Sequence, residues 1–240
     1  MLIDLKSLNK SLKLNVNNIA HIGANLGQEF STYNEIFPNS HVYLIEPQNI
    51  LFKELEKNFK NNSKITLINK ALGNTVGKVK LNSSPTNKSA ASILDPYLHK
   101  DIHPEVIFEG SEVVSIDKYK NLNLKNVNFL NIDTQGFELE ILRGMEEEIN
   151  NIKYIQTEIN NIQLYKNIPL LKDIDKFLNN AGFVRLITVF WNEECHWGDA
   201  FYIRKVDTNL RTRIRCIIKN KLFKYKIFYK ATVKLRRILK

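Results

Sequence analysis

The stretch Val127-Asn-Phe-Leu-Asn-Ile132, followed by Asp133-Thr-Gln-Gly136 and then Phe137-Glu-Leu-Glu-Ile-Leu-Arg-Gly144, decides the fold. The first six residues form an apolar run of the length and composition of a strand buried on both faces. A short polar turn with a glycine comes next, and residues 136–149 then carry helical spacing. A buried strand that turns directly into a helix is the repeating unit of a parallel α/β sheet.

The same unit recurs on both sides of this stretch. Residues 18–23 (NIAHIG) predict a strand ending in glycine, and residues 26–37 a helix that stops at Pro38. Residues 41–45 (HVYLI) predict a second strand, residues 50–59 an amphipathic helix, and residues 64–68 a third strand. Short strands are expected at 76–81 and 112–116, with a polar loop at 83–91. Beyond the opening stretch, residues 154–159 predict a strand, 170–180 a helix ending at Gly182, and 183–190 and 200–204 two closing strands. The closing pair has no helix between its members, so one of them is expected to run antiparallel. The expectation is a doubly wound, mostly parallel sheet with an antiparallel edge hairpin.

Composition limits the alternatives. The chain has 240 residues, 43% of them apolar and 25% charged, which suits a packed domain and excludes wholesale disorder. Two cysteines, Cys195 and Cys216, cannot build a disulfide framework or a cysteine zinc site. No apolar run has bilayer-spanning length and the first residues lack a signal-like stretch, so a cytoplasmic location is expected. No internal repeat is found.

The net charge of +10 is unevenly placed. Twelve Lys and Arg residues and no acid fall between Asn209 and Lys240, leaving 23 basic against 25 acidic residues upstream. The expected organisation is an extension at 1–16, a domain at 17–207 and a basic tail at 208–240. Ile214, Ile217, Ile218, Leu222, Tyr225, Phe228, Thr232 and Leu235 recur at three- and four-residue steps in that tail, as in a basic amphipathic helix. Such a helix suits an anionic membrane surface, with nucleic-acid phosphates or packing on a protein as alternatives. Cys216 would be a site for lipidation.

In an open α/β sheet, ligands bind beyond the carboxyl ends of the strands near the point where strand order reverses. Gly23-Ala-Asn25-Leu-Gly27 follows the first strand, and Glu46-Pro47 closes the second about twenty residues later. Glycines allow a tight turn and close backbone approach, and an acid at the second strand end accepts ribose hydroxyls. The loop is too short for a phosphate-cradling P-loop and is not GxGxxG. S-adenosyl-L-methionine, which carries an adenosine and no phosphate, fits best.

At these residues the sequence resembles the FkbM-type methyltransferases. Asn131–Gly144 (NIDTQGFELEILRG) is similar to the hallmark block of that family, HIGANLGQE to its first motif and LIEP to its second. Ala71-Leu72-Gly73, Val113–Asp117, Gln156–Asn160 with Leu164-Tyr165, and Trp197–Ala200 resemble further blocks. Two positions depart from the pattern: His21 stands where the family usually has an acid, and Gln135 where many members have Glu.

The resemblance implies a class I, Rossmann-like methyltransferase that moves a methyl group from S-adenosyl-L-methionine to oxygen. It places His21, Gly23, Asn25, Gly27, Glu46, Pro47, Ala71, Leu72, Ser92, Asp133 and Gln135 around the cofactor, with Ser92 in a serine-rich loop (89–92) over it. An alcohol acceptor must lose a proton, so a base or a metal is expected near the methyl group. Asp133 and Glu158, with Asn160, could hold a hard divalent cation, or Glu158 could act as base without one. Asp133 could instead simply cap the following helix.

His196 is a second choice of base. Trp191 and Trp197 beside His196 and Asp199 would suit a sugar acceptor, of a glycan or glycolipid, or would be ordinary core at the sheet edge. His41, His99 and His103 have no metal-like spacing and read as surface or structural. The rival functions are an RNA methyltransferase and a non-catalytic binding module with the same fold.

Overall fold

The computed structural model describes residues 2–192, 194 and 196–207. The basic tail, with Cys216, and Cys195 lie outside the described residues. Seven strands form one sheet: β1 (Asn18–Ile22), β2 (Val42–Ile45), β3 (Ile65–Ile68), β7 (Val127–Ile132), β8 (Tyr154–Asn160), β9 (Phe183–Phe190) and β10 (Trp197–Arg204). Their order is β3-β2-β1-β7-β8-β10-β9. The first five are parallel, and β10 pairs antiparallel with both β8 and β9. This is the doubly wound sheet expected from the sequence, with order reversing between β1 and β7. The antiparallel strand β10 lies between β8 and its hairpin partner β9, which forms the edge.

β7 is buried at all six positions, because helices cover both faces of the sheet. Leu130 and Ile132 join a cluster with α5 (Glu138–Gly144) and α6 (Leu171–Asn180). Phe129 points to the opposite face, among α1 (Leu5–Leu12), α2 (Phe30–Ile36) and α3 (Asn49–Phe59). There it meets Tyr33, Phe37, Tyr154 and Phe201 in edge-on aromatic contacts at centroid distances of 6.1–6.5 Å. Ile3, Leu5 and Leu14 of the N-terminal stretch are buried in the same cluster. Two buried amide side chains are matched: Asn131 donates to the Tyr33 hydroxyl at 2.8 Å, and the Asn128 side chain bonds the main chain of Asn15 and Asn17.

Two helices are shorter than their sequence periodicity predicts. α2 begins at Phe30, because Gly23, Asn25 and Gly27 all adopt positive φ and spend residues 23–29 on a loop. α5 ends at Gly144 because Glu146 sits at φ 52°, and a 3-10 turn (Glu146–Asn151) replaces its last expected turns.

The short strands at 71–117 form a separate sheet: β4 (Ala71–Leu72) and β5 (Gly77–Ser83) flank β6 (Gly110–Asp117). This small sheet supplies Ala71, Leu72 and Leu81 to the cavity at the carboxyl ends of β1 and β2. Antiparallel β10 starts where β8 ends, with Asp199 opposite Glu158 in register, so Trp197 and Asp199 come to the same end. No described helix is long and apolar enough to cross a membrane.

Candidate active site

At the reversal point the loops after β1, β2 and β7 surround an open cavity. The close approach of two loops depends on Gly23: at φ +81°, a side chain there would place its Cβ 1.8 Å from the Asp133 carbonyl oxygen. Gly23 and Ala24 donate their amides to the Ile45 carbonyl, and Asp133 donates its amide to Ile22, so the three strand ends are tied together.

Glu46 holds the centre of this arrangement. Its carboxyl accepts the Asn25 amide and the Gln48 amide, each at 2.9 Å, and so fixes the turn after β1 against the turn after β2. Burial raises its pKa from 4.5 to about 7, against those two bonds, which pull it down. Each oxygen keeps capacity for a further donor. Asn69 donates to the Glu46 and Pro47 carbonyls and holds the main chain from behind.

Nine of the residues expected around a cofactor line this cavity: His21, Gly23, Asn25, Glu46, Pro47, Ala71, Leu72, Asp133 and Gln135. His21 is fully buried and its Nδ1 has no hydrogen-bond partner; desolvation lowers its pKa to about 4, so the ring is neutral. Gly27 and Ser92 lie outside the lining. Gly27 packs against Leu44, Leu55 and Phe59, where a Cβ would come within about 3 Å of all three. The Ser92 hydroxyl donates to the Gln135 carbonyl at 2.7 Å and accepts the Leu94 amide, so it holds the loop that carries Gln135.

A second cavity shares Ser89 and Gln135 with the first. Its wall contains Glu158, Trp197, His99, His103, Glu105 and Asn87. Asp133 thus faces the first cavity and Glu158 the second, and the Gln135 amide bridges them, donating to Asp133 at 3.1 Å and to Glu158 at 2.9 Å. Glu158 is buried, and its pKa is well above the ordinary range through desolvation and the nearby carboxylates of Asp133, Glu138 and Asp199. His196 is absent from both walls and stands 3.5 Å from Glu194. Trp197 stacks on the exposed Trp191 at 5.4 Å and 10°. Among the described residues no group of three or more His, Cys, Asp or Glu side chains is placed to hold a metal ion.

Residues 21–185 match the methyltransferase FkbM domain. The chain belongs to the FkbM methyltransferase family. It is also 23% identical, over 168 residues, to the 2-O-methyltransferase NoeI of Sinorhizobium fredii, covering 65% of this chain and 69% of that protein. Among solved structures, a SAM-dependent methyltransferase from Aquifex aeolicus is similar at 13% identity and TM-score 0.44, covering 85% of this chain and 90% of that one. A putative rRNA-methylase from Clostridium thermocellum is similar at 10% identity and TM-score 0.48, covering 85% and 97%.

As an FkbM methyltransferase the protein uses S-adenosyl-L-methionine, and the first cavity fits that group. The carboxyl of Glu46 can accept ribose hydroxyls, the Gly23 turn leaves room for close approach, and the unpartnered His21 nitrogen offers a polar contact. Leu72, Leu81, Ala91, Ile93 and Phe137 form an apolar part of the wall that suits a flat base.

Of these apolar residues the sequence singled out Leu72 alone. Leu81 comes from the small sheet and Ile93 from the turn beside it, with no local pattern to mark them, while Ala91 and Phe137 lie in the serine-rich loop and the 131–144 block without standing out as site residues. Glu138 was read only as part of the motif, yet its carboxylate accepts the Thr134 amide, the Thr134 hydroxyl and the Gly136 amide and so closes the turn after β7. An acid just after a turn containing Gly136 is the signal that could have found it. His99 and His103, without a role by spacing, line the second cavity.

Proposed function

We propose that the protein methylates a sugar hydroxyl of a glycan or glycolipid, with the acceptor in the second cavity and Glu158 as the base. The observation that carries this reading is the division of the two carboxylates: Asp133 faces the first cavity and Glu158 the second, with Gln135 on both walls. When bound, S-adenosyl-L-methionine would supply an electrophilic methyl group. Glu158 would accept the proton of the acceptor hydroxyl, and burial among acids gives it a higher proton affinity than a free carboxylate. The remaining residues hold the two partners in line, where positioning supplies much of the rate.

Trp197 offers a flat face for the C–H side of a sugar ring, and among the described residues the wall of the second cavity contains neither Lys nor Arg. That wall favours a neutral polyhydroxylated acceptor over a nucleic-acid backbone. NoeI, a 2-O-methyltransferase, agrees with an oxygen acceptor. The basic tail would bring the enzyme to an anionic membrane surface that presents a lipid-linked acceptor. Labelled methyl transfer to a panel of neutral oligosaccharides, glycolipids and RNA tests the reading. Alkali-stable label in a sugar is expected, and label confined to RNA would overturn it.

A further inference from the structure

Behind the second cavity a groove gathers three lysines from three parts of the chain: Lys80 of β5, Lys100 of α4 (His99–Ile102) and Lys166 in the loop after β8. Among the described residues Lys80 and Lys100 make no ion pair, and Lys166 stands 3.6 Å from Asp95 with both groups well exposed. Glu109 also lines the groove, so its wall carries three cations against two acids, and Ser111 adds a hydroxyl donor. Like charges brought together repel one another, and a recess lined by them concentrates anions.

The two recesses stand back to back. His99 on the wall of the second cavity meets Phe108 on the wall of the groove edge-on, at 5.1 Å. The next residue after His99, Lys100, lines the groove.

We propose that this groove is an anion subsite, in which Lys80, Lys100 and Lys166 take a phosphate or diphosphate group of the acceptor. This rests on the reading of the second cavity as the acceptor site. The division of charge supports it: the described wall of that cavity has no Lys or Arg and suits a neutral sugar, while the cations that a phosphate needs lie one layer of side chains away. Lysine ammonium groups bind phosphate oxygens as point charges, and a serine hydroxyl donates to them. Asp95 and Glu109 on the same wall favour one compact anionic group over an extended polyanion.

Chemical-shift titration of the full chain with inorganic pyrophosphate tests the proposal. The basic tail is present in every variant, so the comparison between variants reads the groove. Saturable shifts are expected at the amides of Ser111 and Lys166, and they should weaken as salt is added. K80A should lower the affinity read at these amides about fivefold, and K80A combined with K100A about twentyfold. Arg at both positions should retain most of it. Shifts confined to the tail, or an unchanged affinity in the double Ala variant, overturn the proposal. Phosphatidylcholine vesicles with and without phosphatidic acid separate the sources. Capture that needs phosphatidic acid and falls in the double Ala variant assigns the groove to a lipid headgroup, and binding of pyrophosphate alone assigns it to a soluble phosphorylated acceptor. The acceptor reading fails separately, if no sugar takes up label while pyrophosphate still occupies the groove.

Discussion

Glu46 makes cofactor affinity depend on pH in a way that can be worked out in advance. Burial lifts its pKa from 4.5 to about 7, so in the empty protein the carboxyl is half protonated near neutrality. Its oxygens already accept the Asn25 and Gln48 amides, and ribose hydroxyls would add two more donors. Hydrogen bonds to the charged form favour it, so the ligand prefers ionised Glu46 and affinity is lost as pH falls through about 7. One unit below that value about a tenth of the protein is ionised, and affinity should fall about tenfold, or ~1.4 kcal/mol. Above pH 8 it should level off.

The assay is calorimetric titration with S-adenosylhomocysteine between pH 6 and 8. Its neutral sulfur keeps charge effects at Asp133 and Glu158 out of the comparison. His21, with a pKa near 4, stays neutral across this range, and Glu138, also near 7, is closed within its own turn. E46Q should bind more weakly at pH 8 and lose the slope. Equal affinity at pH 6 and 8 in the wild type, or an unchanged slope in E46Q, refutes the reasoning.

Further outcomes are expected elsewhere. Gly23→Ala forces its Cβ onto the Asp133 carbonyl at a positive φ and should cost about 3 kcal/mol or more, seen as a lowered Tm or insoluble protein; a wild-type melting curve would count against the strand-end junction. Phe129→Ala empties the aromatic cluster under β7 and should cost about 3–5 kcal/mol by urea unfolding. Trp197→Ala should raise the acceptor KM and leave S-adenosylhomocysteine affinity unchanged; an unchanged KM removes Trp197 from the acceptor site. A chain ending at Asp207 should lose flotation with anionic liposomes, and equal flotation of the two forms would dismiss the membrane role of the tail.

What the sequence reveals here follows from how local the cause is. β7 is legible because burial on both faces leaves an unbroken apolar run, and the strand-end loops are legible because Gly23, Glu46 and Asp133 each do a job that their residue type announces. The placement of β10 between β8 and β9 is a matter of sheet topology and leaves no mark in the residues of β10 itself. The apolar wall of the first cavity is assembled from Leu72, Leu81, Ile93 and Phe137, which are distant in sequence and individually ordinary. Gly27 shows the opposite case: it resembles a cofactor glycine, yet its lack of a side chain is required by Phe59 and Leu55 of α3. The short α5 shows how one residue at positive φ, Glu146, outweighs helical periodicity over several positions.

The central claim, that methyl donor and acceptor meet across Gln135, is tested most directly by a crystal structure with S-adenosylhomocysteine bound. The account predicts the ribose on Glu46, the base among Leu72, Leu81, Ile93 and Phe137, and the sulfur beside Asp133, open toward the cavity of Glu158. Sulfur turned away from Glu158, or a cofactor ordered outside the cavity around Glu46, would contradict it.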